Sequence, residues 1–268
     1  MKPGKHLLFL ALILLSLYSI NDVYGQKTKD PVYYSFQQIL TDTLFDSNQI
    51  VSILSLPLKH DNNYALEIVF SQSELKPTSE FAKEKEAVVA INASFFDMKK
   101  GGSVTYLEVN DSVIAHAGPL QKPDSILNGI IKLMKDSSIV IEFMKQESFY
   151  IESTEEKAAI GTGPMLLENR VKIKLPIRKS FVAKRHPRTC MCKTDKSLLL
   201  ITIDGRSKSA DGMSLGELQD LLLTINCIDA INLDGGGSTT MWLKDKGVVN
   251  FPSDKSGERK VANAILVK

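Results

Sequence analysis

Two aspartates stand where apolar, strand-like runs stop at glycine. Asp204 lies in Ile203-Asp-Gly-Arg206, and Asp234 lies in Asn232-Leu-Asp-Gly-Gly-Gly-Ser-Thr-Thr240. Two nearby carboxylates can hold different protonation states, one acting as acid and the other as base or nucleophile. That is the equipment of glycoside cleavage. Gly235, Gly236, Gly237 and Ser238 let backbone N–H groups approach a ligand closely, and successive amides in such a turn form a concavity for anions. No Gly-Lys-Ser/Thr follows, and the chain has no Gly-x-Gly-x-x-Gly, so this is not a nucleotide loop. Each Asp-Gly taken alone is a turn signal; their matched placement is what suggests chemistry.

Other residues could complete such a site. Arg188 and Arg206 can pair with a phosphate through bidentate hydrogen bonds, although arginine is mostly a surface residue. His186, in His186-Pro-Arg-Thr189, can act as acid or base near neutral pH or simply order its loop. Thr162 and Gly163, in Gly161-Thr-Gly-Pro164, form a turn that can build another wall. Asn92 follows a buried strand, where its amide can bond sugar hydroxyls; a turn or helix cap is the rival.

The elements that must position these residues are clearest in the C-terminal third. Ser197-Leu-Leu-Leu-Ile-Thr-Ile203 fits a strand covered on both faces. Ser214-Leu-Gly-Glu217 is a capping box, and Leu215, Leu218, Leu221, Leu222 and Ile225 form one helical stripe. Cys227-Ile-Asp-Ala-Ile-Asn-Leu233 is the next strand. A crossover of this length predicts a parallel, right-handed βαβ unit, with ligands beyond the carboxyl ends of its strands. Asp204 and Asp234 fall at those ends.

Upstream, Gln49 to Leu58 and Tyr64 to Phe70 read as strands. Thr78 to Glu86 reads as a short helix capped by Thr78 or Ser79, and Ala87 to Ile91 as a buried strand. Between Val104 and Tyr150 the pattern is of short strands; Ser125 to Lys132 fits helix or strand. The expected architecture is α+β, a mixed sheet with a parallel βαβ unit in the C-terminal third.

The chain of 268 residues opens on Lys2, Lys5 and His6, an apolar run from Leu7 to Ile20, and Val23-Tyr-Gly25 before Gln26. This is the layout of a secretory signal peptide over residues 1–25. The run is short of the roughly 20 residues of a membrane span, so an uncleaved anchor is the rival. No Cys follows it, which argues against a lipoprotein. Residues 26–268 then form one domain, periplasmic or secreted, with no membrane contact after cleavage. The net charge of +2 is spread along the chain and gives no footprint for nucleic acid. Lys179, Lys184, Arg185, His186 and Arg188 cluster locally, as a solvated loop can. Of three cysteines, Cys190 and Cys192 point the same way on a strand. A bridge from Cys227 to either is open in an oxidising compartment, beside the reading of all three as buried structural cysteines. No spaced Cys/His set completes a zinc site.

Seven motifs occur in order: Asn92-Ala-Ser-Phe-Phe96, Gly161-Thr-Gly-Pro-Met-Leu166, His186-Pro-Arg-Thr189, Thr202-Ile-Asp-Gly-Arg206, Gly212-Met-Ser-Leu215, Asn232 to Thr240, and Glu258-Arg-Lys-Val-Ala-Asn263. Together they resemble the phosphodiester glycosidase family, which includes the enzyme that uncovers mannose 6-phosphate by removing N-acetylglucosamine. The match runs from about Val88 to the C-terminus and is densest from Gly161. One departure is Cys190-Met-Cys192, where the family often has a small residue and Gly.

The resemblance implies hydrolysis of a sugar-1-phosphodiester between the anomeric carbon and the phosphate oxygen. It carries over Asp234 as nucleophile or charge stabiliser and Asp204 as acid/base partner, with the reverse assignment open. It also carries over Arg188, Asn92 and the 235–238 loop, and offers Glu258 and Arg259 as further candidates whose rival is a surface ion pair. The implied partner is a small-molecule or polymer glycan bearing a phosphodiester. No cofactor is expected. Two other readings compete: a module that binds phosphate-linked glycans without turnover, and a metal-dependent phosphodiesterase, for which two aspartates and Asn92 make a thin cage for a hard cation.

Overall fold

The computed structural model describes residues 22–23, 32–58, 64–119, 121, 125–175 and 179–268. The leader expected over residues 1–25 lies outside them, apart from the backbone of Asp22–Val23.

Three of the four antiparallel sheets among the described residues close around one core; the fourth is the short pair Lys76–Pro77 and Lys260–Val261. The largest has the order Asp22–Val23, Ser35–Thr41, Gln49–Pro57, Ser197–Ile203, Arg188–Lys193, Asp229–Asn232, Met165–Glu168, Val171–Lys172. A second places Val89–Asn92 between Met241–Leu243 and Asn263–Val267, with Gly247–Val248 and Leu66–Phe70 at its edges. The third is Ile139–Phe143, Gly129–Met134, Glu156–Thr162, Leu107–Val109, Ser112–Ala115. Leu54, Leu200 and Ile231 of the first sheet, Ile91 and Ile265 of the second, and Ile131 and Ile160 of the third meet in a single apolar cluster.

The expected α+β architecture with a parallel βαβ unit is overturned. Every strand pairing among the described residues is antiparallel, and helices are few. The capping-box helix Leu215–Thr224 does connect the two predicted strands, with both reciprocal bonds of Ser214 and Glu217 in place. Those strands are not neighbours, however. Arg188–Lys193 lies between them, antiparallel to both. Periodicity and crossover length report that two strands run the same way; neither reports a third strand inserted between them.

The apolar run Ser197–Ile203 is central and covered on both faces. Leu198 and Leu200 enter the core between the sheets. Leu199, Ile201 and Ile203 pack under Leu215, Leu218, Leu221 and Leu222 of the helix. This alternation is what a strand period of two requires. Cys190 and Cys192 share the helix-facing side; Cys192 is disulfide-bonded to Cys227, and Cys190 is a buried free thiol. With a sequence separation of 35 between its ends, the bridge stabilises the fold by about 4 kcal/mol in the chain-entropy account. It fastens the helix exit to the strand that starts at Arg188.

Candidate active site

Because Arg188 pairs with Ile203 and Cys190 with Asn232, the start of the middle strand and the ends of its two neighbours share one sheet edge. Asp204, Asp234 and Arg188 all emerge there. The shared edge predicted from a parallel pair is therefore reached through a different topology.

Asn92, at the end of Val89–Asn92, ties the second sheet to this edge. Its Nδ2 donates to the Asp234 carbonyl at 2.6 Å, and its Oδ1 accepts from Thr189 Oγ1 at 2.9 Å and from the Thr240 amide at 3.0 Å. The Asp234 amide in turn donates to the Ala93 carbonyl at 2.8 Å. Asn92 is 1% exposed. Its amide is thus engaged by protein on both ends and clamps the loop around Asp234.

The three glycines are explained by what lies against them. A Cβ at Gly235 would stand 2.7 Å from the Pro187 carbonyl oxygen, to which the Gly236 amide donates at 2.9 Å. A Cβ at Gly236 would stand 3.0 Å from Arg206 Nη2; this glycine also has φ +62°, where L side chains are disfavoured. A Cβ at Gly237 would collide with Arg259 and Asp254. The loop is bare because the Pro187–Arg188 backbone and two arginine heads approach it from three separate segments.

Those arginines differ in how their charge is used. Arg188 is 2% exposed and lies over the Phe181 ring, 5.1 Å from its centroid. Its Nε donates to the Met213 carbonyl at 2.8 Å, and its Nη2 to the carbonyls of Phe181 at 2.7 Å and Lys184 at 3.1 Å. Among the described residues no carboxylate lies within ion-pair reach of it. Burial, then the neighbouring Arg206 charge, lowers its ionisation to about 10, so it remains a cation at neutral pH. Arg259 is neutralised by Asp254 through two bonds, at 2.7 and 3.0 Å. Arg206 is exposed, sits at φ +60°, and has no carboxylate partner among the described residues. A non-glycine residue in that conformation costs about 1–3 kcal/mol and is typically retained at functional sites.

His186 orients Arg206. Its Nε2 lies 3.1 Å from the Ser180 carbonyl and its Nδ1 3.4 Å from Arg206 Nη2. A carbonyl can only accept and a guanidinium can only donate, so the proton sits on Nε2 and Nδ1 accepts. Burial lowers the His186 ionisation, opposed by the Ser180 bond and aided by the charges of Arg188, Arg206 and Lys184. The ring is therefore neutral at physiological pH, as this tautomer demands.

Both aspartates are pushed up to about 6, in each case chiefly by burial. Asp204 is 2% exposed; its Oδ1 accepts from Asn250 Nδ2 and from the Phe251 amide, each at 3.0 Å. Its Oδ2 is buried with no hydrogen-bond partner. Asn250 also donates to the Thr239 carbonyl at 3.1 Å and accepts from the Met241 amide at 2.7 Å. Asp204 thereby holds the far end of the glycine loop. Asp234 is only half-buried. Ser238 and the Arg259 charge pull its carboxyl back down, though the Ser238 hydroxyl stands outside hydrogen-bonding geometry.

Three predicted residues do not reach this edge as ligands. Glu258 accepts from the Ser79 amide at 3.2 Å and hydroxyl at 2.8 Å, capping the helix Thr78–Glu84. Thr162 donates to the Asn232 carbonyl at 3.2 Å, and the Gly163 carbonyl accepts from Asn232 Nδ2 at 2.9 Å. Both brace the strand before Asp234 from behind. Asn250, Phe251 and Asp254, which do reach the site, escaped sequence reasoning; Asn250-Phe-Pro252 offers only a turn signal. Among the described residues no three His, Cys, Asp or Glu side chains are grouped to hold a metal ion.

The fold is that of a known catalytic domain. It matches the zebrafish N-acetylglucosamine-1-phosphodiester alpha-N-acetylglucosaminidase catalytic domain, auto-inhibited by its pro-peptide, with a TM-score of 0.71 at 18% identity, over 94% of this chain and 88% of that one. A hypothetical protein from Synechocystis matches with a TM-score of 0.65 at 15% identity, over 87% of this chain and 62% of that one. At such identities these likenesses establish fold alone. The family follows from the sequence: residues 85–268 match the phosphodiester glycosidase model, and the chain belongs to that family. Curated relatives include the cattle N-acetylglucosamine-1-phosphodiester alpha-N-acetylglucosaminidase, 29% identical over 164 residues, which are 61% of this chain and 26% of the enzyme. The SPbeta prophage-derived uncharacterized protein YomE of Bacillus subtilis is 27% identical over 209 residues, 74% of this chain and 30% of that protein. The chain thus spans less than a third of the length of either relative.

Proposed function

We propose that this protein hydrolyses a sugar-1-phosphodiester at the bond between the anomeric carbon and the phosphate oxygen. The observation that carries the proposal is a half-buried Asp234 on a glycine loop faced by the exposed Arg206, which has no carboxylate partner among the described residues. A carboxylate meets the positive charge that develops at the sugar carbon, as nucleophile or as charge stabiliser. A guanidinium and loop amides meet the phosphate. Cleavage of the C1–O bond expels a phosphomonoester, which leaves readily as an anion, so protonating it contributes little and neutralising its charge contributes more. Arg206 is assigned the direct phosphate contact. Arg188, its bonds already directed to three carbonyls, supplies positive potential and holds the 181–184 segment. Asp204 positions the loop end through Asn250. The substrate is a phosphate-linked glycan outside the cytoplasm, in keeping with the leader-like opening of the chain.

Replacing Arg206 by Ala lowers kcat/KM for such a diester by about 10- to 100-fold, the value of one charge-assisted contact. Replacement by Lys restores only part of it, because a point charge cannot bond phosphate bidentately. Steady-state kinetics on the three forms checks this. Equal kcat/KM in wild type and Arg206→Ala removes Arg206 from the phosphate site.

A further inference from the structure

Phe251 is 62% exposed, one of several large apolar side chains at the surface. Scattered exposed apolar residues need no special explanation. Phe251 differs in its mounting. Its amide donates to Asp204 Oδ1 at 3.0 Å. Asn250 before it is 5% exposed and bonded to Asp204, Thr239 and Met241. Pro252 after it restricts the backbone further. The backbone of an exposed aromatic residue is therefore held next to Asp204, the residue that anchors the far end of the glycine loop. A held backbone matters because less freedom is lost when a ligand arrives.

We infer that Phe251 is a specificity-determining residue: its ring is a stacking platform for the apolar face of a sugar, next to the glycine loop whose far end Asp204 and Asn250 hold. This rests on the sugar-phosphodiester reading and names which end of the substrate the ring takes. Sugar rings offer a C–H face edged by hydroxyls. An aromatic face is electron-rich and attracts such C–H groups. Inorganic phosphate has no such face and gains nothing from the ring. Arg206 and the glycine loop therefore recognise the anion, and Phe251 recognises what the anion is attached to.

Calorimetric titration of the purified chain with N-acetylglucosamine 1-phosphate, and separately with inorganic phosphate, tests the assignment. Phe251→Ala weakens sugar phosphate binding by about tenfold and leaves the affinity for inorganic phosphate as in wild type. Phe251→Leu keeps most of the apolar area without the aromatic face and shows the same selective loss. Phe251→Tyr binds as wild type does. Should Ala or Leu bind the sugar phosphate as tightly as wild type, or should wild type bind it no better than inorganic phosphate, the platform is overturned. Should the selective loss appear while wild type fails to cleave the corresponding methyl diester, the platform stands and the hydrolytic reading falls.

Discussion

Replacing Asp234 by Asn lowers release of sugar from a sugar-1-phosphodiester by at least about a thousandfold, with the fold intact. The substitution exchanges one oxygen for an NH2 group and leaves the clamp untouched. Asn92 and Ala93 hold residue 234 by its backbone carbonyl and amide, not by its side chain. What is lost is the negative charge. With its carboxyl raised to about 6, wild-type Asp234 is ionised at pH 7 and becomes protonated as the solution is acidified. The wild-type rate therefore falls on an acid limb near pH 6, and the residual rate of Asp234→Asn lacks that limb. Circular dichroism and melting temperature establish that the variant is folded. Unchanged turnover in a folded Asp234→Asn protein contradicts the assignment.

The second large effect is on stability. Asp204 is buried, with one oxygen bonded and the other unpartnered, and its carboxyl is raised from 3.8 to about 6. A carboxyl whose folded value lies above its unfolded value contributes stability that is complete below the unfolded value. That contribution is lost as pH rises through the folded value. The loss amounts to about 3 kcal/mol between pH 3 and pH 7. Asp204→Asn keeps an acceptor for Asn250 and Phe251 but does not ionise. The stability of the variant relative to wild type therefore climbs by about 3 kcal/mol across that window and levels off above it. Urea unfolding of both proteins at unit pH intervals measures this, and taking the difference cancels the opposite trends of His186 and Glu217. A pH-independent difference means that Asp204 is not held as described. As a positioning residue, Asp204→Asn also retains far more activity than Asp234→Asn.

Which parts of this molecule were legible in the sequence follows from which interactions are local. The capping box at Ser214 and Glu217, the stripe of the following helix and the two-faced Ser197–Ile203 strand are all written within about one turn or one strand. The order of strands is not local. Arg188–Lys193 pairs with Ser197–Ile203 as a hairpin but also with Asp229–Asn232, across the whole helix, and no periodicity announces the second pairing. The site divides the same way. Asp-Gly after an apolar run places Asp204 and Asp234 at strand ends. That Asn92 is a clamp, that Glu258 caps a helix begun at Thr78, and that Phe251 and Asn250 grip Asp204 depends on partners up to 179 residues away. The triple glycine was legible as a turn after a buried strand; what packs against it, the Pro187–Arg188 backbone and the heads of Arg206 and Arg259 arriving from distant segments, was not.

The central claim is cleavage at the carbon side of the phosphodiester, and hydrolysis in 18O-labelled water tests it most directly. Mass spectrometry of the released phosphomonoester reads out which bond broke. The expected phosphate carries no label, because water or the Asp234 carboxylate attacks the sugar carbon and the phosphate departs with its own oxygens. One labelled oxygen in the phosphate means attack at phosphorus, the outcome of a metal-dependent phosphodiesterase, and contradicts the account. Absence of any product, with saturable binding retained, contradicts it equally and leaves a glycan-binding module.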